Sequence, residues 1–166
     1  MLNRQSGWGL LAALMIVLLD QWTKHLASTQ LTYGVPVEIL PVFNLTLQHN
    51  TGAAFSFLAD SGGWQRWLFT TISAAVSVML VVWICRLQRS EKLMLASLSL
   101  ILGGAVGNLW DRLLLGHVVD FISVHYDYHF FPAFNIADSA ITIGAGLMIL
   151  DMLLNAKNPQ TSNETH

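Results

Sequence analysis

Charge is what this sequence has least of. Only 11% of its 166 residues are Asp, Glu, Lys or Arg, while 54% are hydrophobic. A soluble domain carries about 25% charged residues, so the composition argues against a soluble fold and for a polytopic membrane protein. Basic residues are especially scarce. There are eight Lys and Arg against ten Asp and Glu, a net charge of -2, and no basic stripe of the kind that neutralises phosphates, so nucleic acid is not an expected partner. The single cysteine, Cys85, excludes an internal disulfide and any multi-cysteine metal site. Two long segments, 27 to 65 and 113 to 137, contain no Lys or Arg at all.

Four apolar runs can each supply the roughly 20 residues that a membrane span needs. They fall at about 8–26, 67–86, 93–112 and 136–155. The expected fold is therefore an all-α integral membrane protein, a single membrane domain of four transmembrane helices. Asp20 and Lys24 interrupt the place where a signal-peptide cleavage site would follow the first run, which reads instead as a retained anchor. Arg4, Arg86, Arg89, Lys92 and Lys157 lie on one side of these spans. The positive-inside rule places that side, with both termini, in the cytoplasm, and the two basic-free loops outside. In the first of these, 27–65, "FNLTLQ" alternates like a half-buried strand, "HNTG" reads as a turn and "AAFSFL" resumes an extended run. A small extracytoplasmic β element between helices 1 and 2 is expected. The loop 113–135, rich in aromatics, is expected to seat at the interface, and the polar tail 158–166 to be disordered.

This topology gathers polar groups in one layer. Asp120 follows the exit of the third span and Asp138 opens the fourth, so both carboxylates can lie at the same depth near the outer interface. Asn108, Asp111 and Arg112 share one helix face at the end of span three, and Asp20 and Lys24 are four apart near the end of span one. Intramembrane ionisable residues mark functional sites. Each also has a plain structural use: Asp138 beside an Asn135 N-cap favours a helix start, and Asp20–Lys24 and Asp111–Arg112 suit structural pairs. Gly103 to Gly107, "GGAVG", has the spacing of close helix packing. No serine sits in a nucleophile motif, and there is no "HExxH", although His117 with Asp120 and His125 with His129 are imaginable ligands. Two carboxylates held together cannot both ionise cheaply, so the pair retains one proton. The ionised member can draw a proton from water while the other protonates a leaving amine, which is peptide hydrolysis without metal or cofactor. The same pair also suits a proton relay, so a small proton-coupled carrier stands as the alternative, and a structural subunit as a third reading.

Five blocks in order along the chain then resemble the bacterial lipoprotein signal peptidases (signal peptidase II), in their proteobacterial form. They are "DQWTK" (20–24), "HNTGAAFSFL" (49–58), "GGAVGNLWDRL" (103–113), "VVDFI" (118–122) and "FNIADSAITIG" (134–144). The resemblance implies a four-span aspartyl endopeptidase of the bacterial inner membrane. Such enzymes cut diacylglyceryl-modified prolipoproteins just before the lipidated cysteine, at the periplasmic face. By position it implies Asp120 and Asp138 as catalytic, with Asn50, Gly52, Asn108, Arg112 and Asn135 lining or bracing the site. Asp20, Lys24 and Asp111 would be mainly structural. It implies inhibition by cyclic peptide antibiotics and no cofactor, and a site within one chain is compatible with a monomer in membrane lipid.

Overall fold

A computed structural model describes residues 4–52, 64–127 and 129–157. Its elements run α1 (Arg4–Gln30), β1 (Val37–Leu40), β2 (Phe43–Asn50), α2 (Trp64–Arg86), α3 (Lys92–Leu114), β3 (Val118–Tyr126), β4 (His129–Phe130) and α4 (Ile136–Lys157). All four helices are long and apolar enough to cross a membrane. The expected fold class of four spans with a small sheet is borne out. The whole "AAFSFL" reading (53–58) and the tail 158–166 lie outside the described residues.

The helices are built inside out. On α1 the buried positions are Ser6, Gly9, Ala13, Asp20, Lys24 and Ala27, spaced along one face, while Leu14, Met15, Leu18 and Trp22 are exposed. Lipid tails are as apolar as leucine, so burial of large apolar groups does not drive helix association; close approach and buried polar contacts do. Helix α3 is central and touches the other three. Gly103 faces Ala13 and Ile16 of α1, Gly104 faces Ala137 and Ile141 of α4, and Gly107 faces the Asp20 carboxylate. A methyl group at any of the three would collide with a neighbouring helix. Ser97 Oγ donates to the Gly144 carbonyl at 2.7 Å and ties α3 to α4. An apolar core of Leu80, Ile84, Leu87, Met94, Leu98 and Leu102 fills the end of the bundle near the α2–α3 turn. Polar groups collect at the other end, under the sheet.

The sheet has four antiparallel strands in the order β1-β2-β3-β4. Only β1 and β2 come from the segment between the first two helices. The sheet also takes β3 and β4 from 113–135, the stretch read from sequence as an interfacial loop. In "VVDFISVHY" the first four residues are all buried, so no alternation marks the strand. The period of two in "FNLTLQ" is present but inverted: Asn44 and Thr46 are buried, while Phe43 and Leu45 are half-buried. An irregularity in the β2–β3 register between Leu45 and Gln48 then turns Leu47 inward as well.

Candidate active site

The polar layer is organised around one lysine. Lys24, only 3% exposed, places Nζ 2.8 Å from Asp20 Oδ2 and 2.9 Å from Asp111 Oδ2. It also donates to Asn108 Oδ1 at 2.9 Å, so its three donors are used. Both partner carboxylates are buried too. A buried charge is tolerated when it is paired and hydrogen-bonded. Asp111 pairs with Lys24 across helices, not with its neighbour Arg112 as the sequence suggested. Gln21 closes the cluster, donating to Asp111 Oδ1 at 2.8 Å and to Asp20 Oδ2 and the Gly107 carbonyl at 3.2 Å. Gln21 is a residue that sequence reasoning missed; its place beside Asp20 in "DQWTK" was the available signal.

Each buried carboxylate also grips a backbone N–H. Asp20 Oδ1 accepts from Ala137 at 2.9 Å, and Asp111 Oδ2 accepts from Val119 at 3.1 Å. Ala137 precedes Asp138 and Val119 precedes Asp120. One ion cluster therefore fixes the backbone immediately before both aspartates of interest. Asp20, Lys24 and Asp111, expected from sequence to be mainly structural, reach both aspartates through these backbone contacts.

Asp120 lies on β3 and is 2% exposed. Asn135 Nδ2 donates to its Oδ1 at 2.7 Å and Asn50 Nδ2 to its Oδ2 at 3.0 Å. Burial, followed by the nearby charge of Asp138, pushes Asp120 up to about 6 against these two amides and the more distant Lys24. Asp138 sits in the first turn of α4. Asn108 Nδ2 donates to its Oδ1 at 2.7 Å. Asn135 caps the same helix, with its Oδ1 accepting the Asp138 N–H at 2.9 Å. Asn108, Asn135 and Lys24 thus form one continuous network that reaches both aspartates.

Gly52 closes the turn after β2. Its N–H donates to Asn50 Oδ1 at 2.8 Å, which orients the amide that holds Asp120. It has φ +99, and a Cβ there would lie 2.6 Å from the Phe69 ring, so glycine is required twice over. Arg112 lies within electrostatic reach of Asp138, Asp120 and Asp111. Its guanidinium sits 5.5 Å over the Phe69 ring and donates to the Asn108 carbonyl at 3.4 Å. Arg66 donates to the carbonyls of Arg112 and Leu113 at 2.9 and 2.8 Å. It caps the C-terminus of α3. Every candidate site residue is therefore joined to one cluster.

Two of the histidines imagined as metal ligands make ring contacts. His117 stacks on His49, with ring centroids 4.0 Å apart, and His125 on Phe130 at 4.9 Å. Burial and then the neighbouring His49 hold His117 below the usual imidazole range. Among the described residues no three His, Cys, Asp or Glu side chains are placed to hold a metal ion together.

Two cavities open onto the aspartates. One of about 650 Å³ is mostly apolar, walled by Phe131, Phe134 and Ile143, and contains Asp138. The other, about 190 Å³, is polar and is lined by Gln48, Thr51 and Asp120. They meet along Asn50, Pro132 and Ala133. The arrangement offers two neighbouring carboxyl groups, one of them raised to about 6, beside a groove suited to an apolar chain.

Known proteins resemble this chain along most of its length. The lipoprotein signal peptidase of Acinetobacter baumannii is 54% identical over 152 residues, covering 91% of this chain and 86% of the relative. That of Pseudomonas putida is 53% identical over 148 residues, with 88% and 86% covered. A bacterial membrane enzyme solved by the in meso method at 2.3 Å resolution superposes with TM-score 0.82 at 34% identity, over 96% of this chain and 95% of that one. A second, at 1.9 Å resolution, gives TM-score 0.77 at 37% identity over 89% and 93%. The sequence model of Signal peptidase (SPase) II matches residues 12–154, from the first helix to the last, and the chain belongs to that family.

Proposed function

We propose that the protein is a membrane aspartic endopeptidase that removes the signal peptide from diacylglyceryl-modified prolipoproteins, cutting before the lipidated cysteine. Membership of the signal peptidase II family gives the reaction class. The observation that supports the residue assignment is the pair Asp120 and Asp138, each held by a carboxamide, at the meeting of a polar and an apolar cavity.

The geometry supports a division of labour. Asp138 heads α4, where the Asn108 amide donates to its Oδ1 at 2.7 Å. It takes a proton from the attacking water. Asp120, with its carboxyl raised to about 6, holds the shared proton. It hydrogen-bonds the scissile carbonyl as negative charge develops there, and the proton then goes to the leaving amine. A substrate filling the groove expels water and raises Asp120 further. The residues need no cofactor for these steps.

The site end of the bundle faces the periplasm in this reading, with both termini in the cytoplasm, because the loops at that end lack Lys and Arg. The substrate arrives within the bilayer plane. The protein works as a monomeric membrane domain, since all the site residues come from one chain, and cyclic peptides that mimic the bound substrate occupy the same groove. A proton-coupled carrier is not supported. A relay needs groups along its path, whereas Asp20, Asp111, Asp120 and Asp138 lie together at one end and Asp151 is near the other end of α4.

The test is cleavage of a diacylglyceryl-modified prolipoprotein by purified protein in detergent, with EDTA present. Wild type is expected to cut. Asp120→Asn and Asp138→Asn, if folded, are expected to lose about a thousandfold or more, which corresponds to ~4 kcal/mol of transition-state stabilisation. A near-normal rate in either variant would remove that aspartate from the mechanism.

A further inference from the structure

The division between the two cavities carries more than the reaction. The larger one runs along α4, past Asp138 and Ser139 to Thr142 and Ile143, and so down the flank of a membrane-crossing helix. The smaller lies on the sheet, beyond the helices, and its lining is polar. Only Asn50, Pro132 and Ala133 belong to both. A chain crossing the aspartates at this shared rim has one apolar wall and one polar wall to satisfy.

Backbone pairing decides which side chains face the polar pocket. Gln48 stands directly opposite Asp120 in the β2–β3 ladder. Directly opposed residues project from the same sheet face, and so do residues two apart on one strand. Gln48, Asn50 and Asp120 therefore emerge together. Asn50 is committed to Asp120 and Gly52. Gln48 and Thr51 are exposed and line the pocket. An amide and a hydroxyl, each able to donate and accept, thus stand beside the carboxyl that holds the proton.

We infer that Gln48 and Thr51 form a specificity subsite for the side chain directly after the lipidated cysteine, and that it selects a short polar residue there. This rests on the proposed peptidase reading. In an extended chain, successive side chains point to opposite sides. When the cysteine turns its acyl chains into the apolar groove along α4, the next side chain turns toward the sheet. The pocket there has a volume of about 190 Å³, room for about six waters at ~30 Å³ each. A hydroxyl, amide or carboxylate replaces some of those waters and keeps their hydrogen bonds. A leucine displaces them without reproducing their hydrogen bonds to Gln48 and Thr51, which loses affinity.

The test is a matrix of kcat/KM values. Synthetic diacylglyceryl-modified prolipoprotein peptides carry Ser, Asp, Lys or Leu directly after the cysteine. Wild type is expected to prefer Ser over Leu by about tenfold, and Gln48→Leu to reduce that ratio to within about twofold. Gln48→Lys is expected to shift the Asp-to-Lys ratio upward and Gln48→Glu to shift it downward, each by fivefold or more. Such opposed shifts at an exposed position cannot arise from a general loss of structure. Ratios that stay constant across the variants overturn the subsite. So does an equal loss on every substrate, which would make Gln48 a brace of Asp120. If wild type cuts none of the peptides, the peptidase reading fails and the subsite falls with it. If it cuts them and the ratios do not move, only the subsite fails.

Discussion

Asn135 donates its amide hydrogen to Asp120 across 2.7 Å. The oxygen of the same side chain accepts the backbone N–H of Asp138 at 2.9 Å, so one fully buried residue ties the two aspartates together. Asn135→Ala removes a charge-assisted hydrogen bond and a helix cap at once. Those are worth ~1.5–3 and ~1 kcal/mol respectively. The expected outcome is a drop of at least a hundredfold in kcat/KM together with a lower Tm. Asn135→Asp keeps the cap but sets a third acid beside Asp120 and should be equally inactive. Cleavage kinetics and thermal unfolding on the same preparations would check both. Wild-type rates in the alanine variant would dismiss the bridging role.

Sequence reached much of this cluster and stopped at identifiable points. The Asp20–Lys24 pair was legible because i, i+4 residues share a helix face. The Lys24–Asp111 pair was not, because it joins α1 to α3 and depends on how the helices pack. Asp120 was grouped with Asp138, whose charge it does feel, but read into a loop. Its strand pairs with β2, some seventy residues earlier, and is covered from both sides at its start, so no period of two announces it. The β-branched and aromatic run "VVDFISV" was the remaining signal. Gln21 and Arg66 meet their α3 partners only in the folded chain.

The raised carboxyl of Asp120 links stability to pH in a direction opposite to the usual acid. Its folded value, about 6, lies above the ordinary 3.8. Between those values the folded state binds more protons than the unfolded one, so this group's contribution falls as pH rises through the window. A shift of about two units caps the effect at ~3 kcal/mol. Asp120→Asn abolishes it. The Tm difference, variant minus wild type, should therefore grow from pH 4 to pH 7 in unfolding scans, while cleavage is lost. A difference that is flat or shrinks over that range contradicts the assignment.

The same group sets a kinetic limit. If Asp120 must be protonated at attack, kcat/KM, which reports the free enzyme, falls on the alkaline side with an ionisation near 6. The limb in kcat should lie higher, since bound substrate dries the site. The two profiles are measured on one substrate across pH 4.5 to 9, in constant ionic strength. Coincident limbs would mean that substrate does not desolvate Asp120, and the absence of an alkaline limb would assign the proton elsewhere.

Lys24 separates structural from catalytic loss. Lys24→Met strands the buried Asp20 and Asp111 without a counter-charge, and breaking a buried pair this way costs ~3–5 kcal/mol. The protein should be recovered poorly or melt far below wild type. Asp111→Asn on its own is milder. It keeps an acceptor for the Val119 N–H, but its amide can no longer satisfy Lys24 and Gln21 together. Equal Tm values for wild type and Lys24→Met would show that the cluster does not stabilise the fold.

Gly52 connects backbone conformation to chemistry through a short chain of contacts. Its φ of +99 disfavours any Cβ, and an added methyl would meet the Phe69 ring at 2.6 Å. Residues held in such regions cost ~1–3 kcal/mol when they are not glycine. Gly52→Ala can relieve this by rotating the turn, which withdraws the N–H that orients Asn50 and with it the Asn50 donor to Asp120. The variant is expected to fold, to lose tenfold to a hundredfold in kcat/KM, and to move the alkaline limb upward, because Asp120 loses a hydrogen bond that favours its charged form. Asn50→Ala should move the limb the same way. Adding Phe69→Ala to Gly52→Ala removes the clash but not the φ penalty, so it should recover only part of the rate. Full recovery would mean that collision alone makes glycine necessary, and an unmoved limb would mean that the turn does not act through Asp120.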